Sequence, residues 1–351
     1  MSYADGMAAL NLEFSDRVPR TEYSADTHWP LVKAVTGLNA DQNSSPEIQR
    51  QASLEFMKRW NYDFCWSILT HNQIFGEKYT RMGHAVYAAG GVDYNNQVWQ
   101  AFSSVEEILN LDMEAVYGVP DQAKLIKEYN DHYDSQKDLA PYMVTMTGIY
   151  VTCISGLIEL FGWEMLLEAL GTDPEGFGRV ADRYCRWMQS YFTALAQSKA
   201  PVVMIHDDIV WTEGPFVHPD WYRKYVFPNY QKMFAPLREA GKKILYTSDG
   251  TYTAFVDDIA PLVDGFVMEP TTDMEYIANR YGKTHVFVGN GDTRILLSGS
   301  KEEIYQEVKR CMDIGKQYPG FFMAIGNHIP ANTPVENALW YEECYEKLSR
   351  R

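Results

Sequence analysis

The sequence lacks a glycine-rich phosphate loop: neither Gly-x-Gly-x-x-Gly nor a complete Gly-x-x-x-x-Gly-Lys-Ser/Thr occurs, which counts against a doubly wound nucleotide-binding sheet. Cysteine is scarce and scattered. Cys65, Cys153, Cys185, Cys311 and Cys344 are odd in number and show no Cys-x-x-Cys spacing, so they read as reduced core residues. Positive charge is short as well, with 31 Lys and Arg against 47 Asp and Glu, a formal charge of -16 and a pI near 4.9. That balance repels phosphate backbones and acidic membrane surfaces, which excludes nucleic acid and favours a neutral substrate or a basic partner protein. No uninterrupted run of about 18 apolar residues occurs, and the opening Met-Ser-Tyr-Ala-Asp-Gly has no basic stretch leading into a hydrophobic one. Neither a membrane span nor a leader is expected, and the reading is cytoplasmic. Short repeats and low-complexity stretches are absent too.

What is present is core material. Of 351 residues, 46 % are hydrophobic and 14 % aromatic, with 22 % charged, enough for one large domain over 1–351. Residues 1–60 read as a helical N-terminal extension, with Ser45 as a cap and Pro46 in the first helical turn. Tyr62–Leu69 is short and apolar enough for a strand, followed by the polar Thr70-His71-Asn72-Gln73. The glycines and aromatics of 80–98 suggest a hairpin or elaborated loop, and Ser103–Tyr117, opened by Ser103 or Ser104 before Glu106 and Glu107, and Gln122–Ser135 suggest helices.

From Pro141 onward the rhythm is regular. Strands Tyr142–Thr147, Pro201–His206, Lys243–Thr247, Gly265–Met268, His285–Gly289 and Gly320–Ile325 alternate with helices Gly162–Leu170, Asp173–Gln197, Pro219–Ala240, Tyr252–Leu262, Met274–Tyr281 and Lys301–Gln317, and helix Pro334–Leu348 closes the chain. Alternation of this kind implies parallel strands joined by crossovers. It predicts an α/β fold, a (β/α)8 TIM-type barrel with an N-terminal helical cap. The count reaches about seven strands where the barrel needs about eight, and 80–98 is the expected place for the missing one.

Three apolar stretches stop at a metal-capable side chain: Lys243-Ile-Leu-Tyr-Thr-Ser-Asp249, Gly265-Phe-Val-Met-Glu269 and Phe321-Phe-Met-Ala-Ile-Gly-Asn-His328. Strand carboxyl ends of a barrel meet at one face whatever their separation in sequence, so Asp249, Glu269 and His328 are expected to share one ion. Two oxygens and one nitrogen suit Zn²⁺, and three protein ligands leave a fourth position for substrate. Asp207 or Asp208 is an alternative ligand, which would leave Asp249 to orient His328 from outside. Polar residues crowd other strand ends, notably His206-Asp207-Asp208 and Asn290-Gly-Asp292. Capping a helix or a loop is the ordinary task of any one of them; as a set they point to chemistry.

From Pro201 to the end the chain resembles the uroporphyrinogen decarboxylase superfamily. The carrying segments are His206-Asp-Asp with Gly214-Pro215 and Pro219 downstream, Gly241-Lys-Lys-Ile-Leu-Tyr-Thr-Ser-Asp-Gly250, Gly289-Asn-Gly-Asp-Thr-Arg-Ile-Leu296 and Gly326-Asn-His-Ile-Pro-Ala-Asn-Thr-Pro-Val-Glu-Asn337. The resemblance implies a distorted (β/α)8 barrel and one of two chemistries. The decarboxylases of that superfamily grip a polycarboxylate with an arginine-rich segment, typically Arg-Gln-Ala-Gly-Arg, which is absent here. Arg17 and Arg20 stand in Asp16-Arg-Val-Pro-Arg-Thr-Glu22, a different pattern. The corrinoid-dependent methyltransferases that act on coenzyme M hold zinc through His-x-Cys, and here that position reads Thr247-Ser-Asp249. Oxygen ligands make a harder Lewis acid, better matched to an ether than to a thiol.

The resemblance therefore implies the methyltransferase component of an O-demethylase, moving a methyl group from a methoxylated, aromatic small molecule to the Co(I) corrinoid of a partner protein. Its cofactors would be Zn²⁺ at Asp249, Glu269 and His328 and the partner's corrinoid, with His206, Asp207 and Asp208 as catalytic residues. His71, Asn72, Tyr150, Trp211, Tyr246 and Asn290 are the candidate substrate contacts, with Trp66 and Met268 lining a water-poor mouth. A homodimer remains open. Metal-free decarboxylation of a smaller acid is the alternative enzyme class, for which Arg294 would meet the carboxylate. A non-catalytic corrinoid-binding or ligand-binding relative is the second alternative.

Overall fold

The computed structural model describes residues 2–82, 86–88, 91–93 and 98–351. The chain divides into two compact units, each assembled from separate stretches: 1–66, 135–145 and 264–351 in one, 67–134 and 146–263 in the other. Both are mixed α/β, with parallel strands joined through helices.

In the first unit, strands Gly265–Met268, Val286–Val288 and Phe321–Phe322 pair in parallel in that order. Every residue in them is buried, the pattern of parallel strands covered on both faces. The connections are the helical crossovers that parallel pairing requires. Asp273 caps helix Met274–Tyr281 through the Tyr276 amide at 2.9 Å, and Ser300 with Glu303 forms a full capping box at the start of helix Lys301–Gly315. Strand Phe64–Cys65 pairs in parallel with Val144–Thr145, and Ser45 caps helix Pro46–Arg59 as its sequence predicts.

The N-terminal residues are not only helical. Arg20 bridges Met323 and Tyr23 bridges His328, both in parallel. The Thr21 amide donates to Met323 O at 3.1 Å and the Met323 amide to Pro19 O at 2.8 Å. On the other edge the Asp63 amide donates to Arg20 O at 3.0 Å. Residues 19–23 are thus a parallel extended segment that the sequence count lacked. Arg20 and Glu22 lie wholly within the core. Arg20 pairs with Glu22 at 2.9 Å and with Glu342, and its guanidinium lies over Trp60, Tyr341 and Tyr345.

In the second unit, strands Thr147–Ile149, Val202–His206 and Lys243–Ser248 pair in parallel. Tyr142–Thr147, expected as one strand, is two short ones, Val144–Thr145 and Thr147–Ile149. The helix expected at Gly162–Leu170 begins eight residues earlier and runs Ile154–Thr172, broken at Gly162, whose φ of 70° and ψ of 163° leave the helical region. The described part of 80–98 holds an antiparallel strand pair, Val86–Ala88 with Gly91–Asp93, in line with the hairpin reading. It supplies no parallel barrel strand among the described residues, which corrects that expectation; 83–85, 89–90 and 94–97 lie outside them. Among the described residues the cysteines are all free, and all but Cys65 are buried. No helix among them is long and apolar enough to cross a membrane.

Candidate functional site

Strand Val202–His206 is buried throughout and pairs His206 with Thr247 of the neighbouring strand. The Asp207 amide extends the ladder to Thr247 O at 3.0 Å. His206-Asp207-Asp208 and Asp249 therefore leave adjacent strands at the same carboxyl end.

All three consecutive residues are tied to the start of helix Ile154–Thr172. Asp207 Oδ1 accepts the amides of Cys153 at 3.1 Å and Ser155 at 2.6 Å, the unsatisfied donors of a helix N-terminus. Its Oδ2 accepts the hydroxyl of Tyr230. Burial pushes the Asp207 carboxyl up to about 6, against the pull of these donors. The Asp208 amide donates to Ser155 Oγ at 2.7 Å. His206 Nδ1 lies 3.0 Å from Tyr150 O. A carbonyl only accepts, so Nδ1 carries the proton in that bond, and Nε2 faces Asp208 Oδ1 at 3.1 Å. Burial would lower the His206 pKa, but Asp208 and Asp249 outweigh it and raise it to about 9. Burial likewise opposes ionisation of Asp208, and the facing imidazole reverses this and holds its pKa below the usual range.

Asp208 Oδ1 also accepts the backbone amide of Asp249 at 2.9 Å. One ligand atom each from His206, Asp208 and Asp249 lie within 4.8 Å of one another, a nitrogen and two carboxylate oxygens that can close on one cation. The loop after Asp249 is latched in place. Gly250 has φ 81°, and a Cβ there would stand 2.5 Å from Trp211 O. The Thr251 amide donates to the same oxygen at 3.1 Å, and Thr251 Oγ1 to Thr212 O at 2.5 Å. This fixes the small hairpin of Val210–Trp211 and Gly214–Pro215 beside Asp249. Trp211 is 48 % exposed, and its ring packs near those of Trp163 and Phe216, 5.8 and 5.6 Å away.

Several residues predicted as substrate contacts converge here. The Tyr150 ring stacks on His206 at 3.8 Å and 9°, and His71 stacks on Tyr150 at 4.4 Å and 24°. Asn72 donates its amide N–H to His71 Nδ1 at 2.8 Å and its side chain to Glu159 at 3.2 Å. Tyr246 is fully buried, its hydroxyl donating to Asp207 O at 3.1 Å, so it supports the strand end from within the core. Asn290 is 1 % exposed; its side-chain Nδ2 donates to Thr272 O at 3.0 Å and its Oδ1 accepts from Arg310 at 3.0 Å, so it brackets its own loop.

Glu269 and His328, predicted to join Asp249, belong to the other compact unit. There Asn327 donates to the Glu269 carboxylate. His328 Nδ1 lies 3.0 Å from Ser24 Oγ, and Thr293 donates to His328 O at 2.9 Å. Ser155 and Tyr230 escaped sequence reasoning. The helix starting at Ile154 has no cap of its own, because its carboxylate comes from Asp207, more than fifty residues later.

Parallel strands with helical crossovers and titratable side chains gathered at their carboxyl ends define an α/β protein of the barrel-forming class. More particularly, the chain belongs to the uroporphyrinogen decarboxylase (URO-D) family, which matches residues 87–347. It is 25 % identical to the uroporphyrinogen decarboxylase of Syntrophotalea carbinolica over 179 residues, 50 % of each protein. It is 27 % identical to that of Carboxydothermus hydrogenoformans over 185 residues, 53 % of this chain and 50 % of the relative. The chain thus spans about half the length of the curated relatives it matches. Among solved structures, a methyltransferase from Methanosarcina mazei shares the fold over 99 % of both chains, with a TM-score of 0.65 at 16 % identity.

Proposed function

We propose that this protein is a zinc-dependent methyltransferase that moves a methyl group from an O-methyl donor, a methoxylated aromatic compound, to a corrinoid carried by a partner protein. The observation that carries the reading is the His206, Asp208 and Asp249 group at adjacent strand ends. Its donor set fits Zn²⁺, with three ligands and one position left for substrate. His206 also meets the usual condition of a ligating imidazole, its second N–H being given to a carbonyl. When bound there, zinc would supply Lewis acidity toward the ether oxygen of the donor.

The chain's own residues do the rest. Asp208 aligns His206 and Asp249 through one oxygen, and Asp207 anchors the strand end to a helix N-terminus. Trp211, Trp163 and Phe216 offer an aromatic surface beside the Asp249 loop, suited to a planar ring and to excluding water. The name of the Methanosarcina protein supports a methyl-transfer reading of this fold. The decarboxylase reading suggested by the curated relatives needs arginines open to carboxylates. Arg17 is paired with Asp63 at 2.6 Å and Arg20 with Glu22 and Glu342, while Arg294 is forked onto Asp292.

Zinc content of the purified protein and of alanine variants at His206, Asp208, Asp249, Glu269 and His328 tests the ligands. Loss in the first three supports the proposed set. Loss in Asp249, Glu269 and His328 with retention in the other two returns the assignment to the set suggested by the strand-end pattern. Addition of Co(I) corrinoid and a panel of methoxybenzenes should produce the methyl-Co(III) absorption change. Absence of that change with zinc in place, across the panel, would sink the O-methyl reading.

A further inference from the structure

Tyr150 touches His206 twice. Its carbonyl takes the Nδ1 proton at 3.0 Å, and its ring lies flat on the imidazole at 3.8 Å and 9°. The first contact sets which nitrogen is protonated; the second sets the plane in which the other nitrogen points. Tyr150 is itself held from both sides. Its amide donates to Thr70 O at 2.8 Å, and the His71 ring closes the far face of the phenol at 4.4 Å. His71 is fixed in turn, because its Nδ1 accepts the Asn72 amide at 2.8 Å. The result is a three-ring stack, imidazole on phenol on imidazole, running from the polar Thr70–Asn72 turn to the strand end that carries His206.

We propose that Tyr150 is a positioning residue: it presents His206 Nε2 to a cation shared with Asp208 and Asp249, and His71 braces Tyr150 in that pose. The proposal deepens the reading of this group as a metal site and rests on it. It reassigns Tyr150 and His71 from substrate contacts to the frame behind the ligand. Groups that orient a ligating histidine typically contribute about 10- to 100-fold in metal affinity.

Two measurements test it on the full chain. The first is titration of chelator-treated protein with Co²⁺, read from the visible d–d bands, for wild type, Tyr150→Phe, Tyr150→Leu and His71→Ala. Tyr150→Phe keeps both ring and carbonyl and should reproduce the wild-type spectrum and Kd. Tyr150→Leu keeps only the carbonyl; it should bind at least about tenfold more weakly, with altered bands, while circular dichroism remains that of the folded protein. His71→Ala should shift in the same direction by a smaller factor. The second is the ¹⁵N spectrum of the His206 ring in metal-free protein, where the protonated Nδ1 should show slow exchange that Tyr150→Leu accelerates. Wild-type affinity, bands and exchange in Tyr150→Leu would overturn the proposal, as would a Tyr150→Phe that behaves like Tyr150→Leu. Wild-type protein that takes up no Co²⁺ overturns the metal reading instead, and the nitrogen spectrum then decides separately whether Tyr150 holds His206.

Discussion

His206 Nε2 and Asp208 Oδ1 stand 3.1 Å apart, and the same oxygen receives the Asp249 amide at 2.9 Å. One carboxylate thus sets the distance between two strand ends and supplies the counter-charge for a buried imidazole. Asp208→Asn keeps the shape and removes the charge. The variant should fold, yet hold zinc at least about tenfold more weakly than wild type. Chelator competition followed by metal analysis measures this, and unchanged affinity would remove Asp208 from the ligand set.

The same pair makes a prediction for the metal-free protein. The folded pKa of His206, about 9, lies above the roughly 6.5 of a free imidazole. Protonation therefore favours the folded state. That contribution is complete below about pH 6.5 and disappears as pH rises through about 9. Thermal unfolding of chelator-treated wild type should show Tm falling across this window, and Asp208→Asn should flatten the fall.

Gly250 is where backbone geometry and the site meet. Its φ of 81° is costly for any residue with a side chain, and a Cβ would press on Trp211 O at 2.5 Å. Gly250→Ala should cost about 1–3 kcal/mol and push the Asp249 loop away from the hairpin that latches it. Urea unfolding would read the first effect and zinc content the second. A variant with wild-type values for both would show that the latch does not set the position of Asp249.

The parallel core was legible because strands such as Val202–His206 and Lys243–Ser248 are short apolar runs between periodic helices. The role of Asp249 as a strand-end acid was legible for the same reason. Residues 19–23 were hidden by their charges: Arg20 and Glu22 break any apolar strand pattern, yet they neutralise each other inside the core. The carbonyl partner of His206 was not legible, since nothing in sequence shows that Tyr150 O takes its Nδ1 proton. The helix start at Ile154 was hidden because its cap is the distant Asp207.

Arg20 separates a structural arginine from a substrate-binding one. It is fully buried, paired with Glu22 and Glu342 and enclosed by Trp60, Tyr341 and Tyr345. Both oxygens of the Glu22 carboxylate it faces have further donors: the Ile325 amide reaches Oε2 at 2.9 Å, and the Tyr341 hydroxyl donates to Oε1, the oxygen facing Arg20. Arg20→Met leaves those acids without their counter-charge, and breaking a buried pair from one side costs about 3–5 kcal/mol. Pairing it with Glu22→Gln should recover part of the loss, because one of the two stranded charges is then gone. An arginine whose task is to bind a ligand carboxylate behaves oppositely: removing it leaves stability within about 0.5 kcal/mol and raises KM. Guanidinium unfolding of the single and double variants would distinguish the two, and a stable Arg20→Met with no recovery in the double variant would reopen the decarboxylase reading.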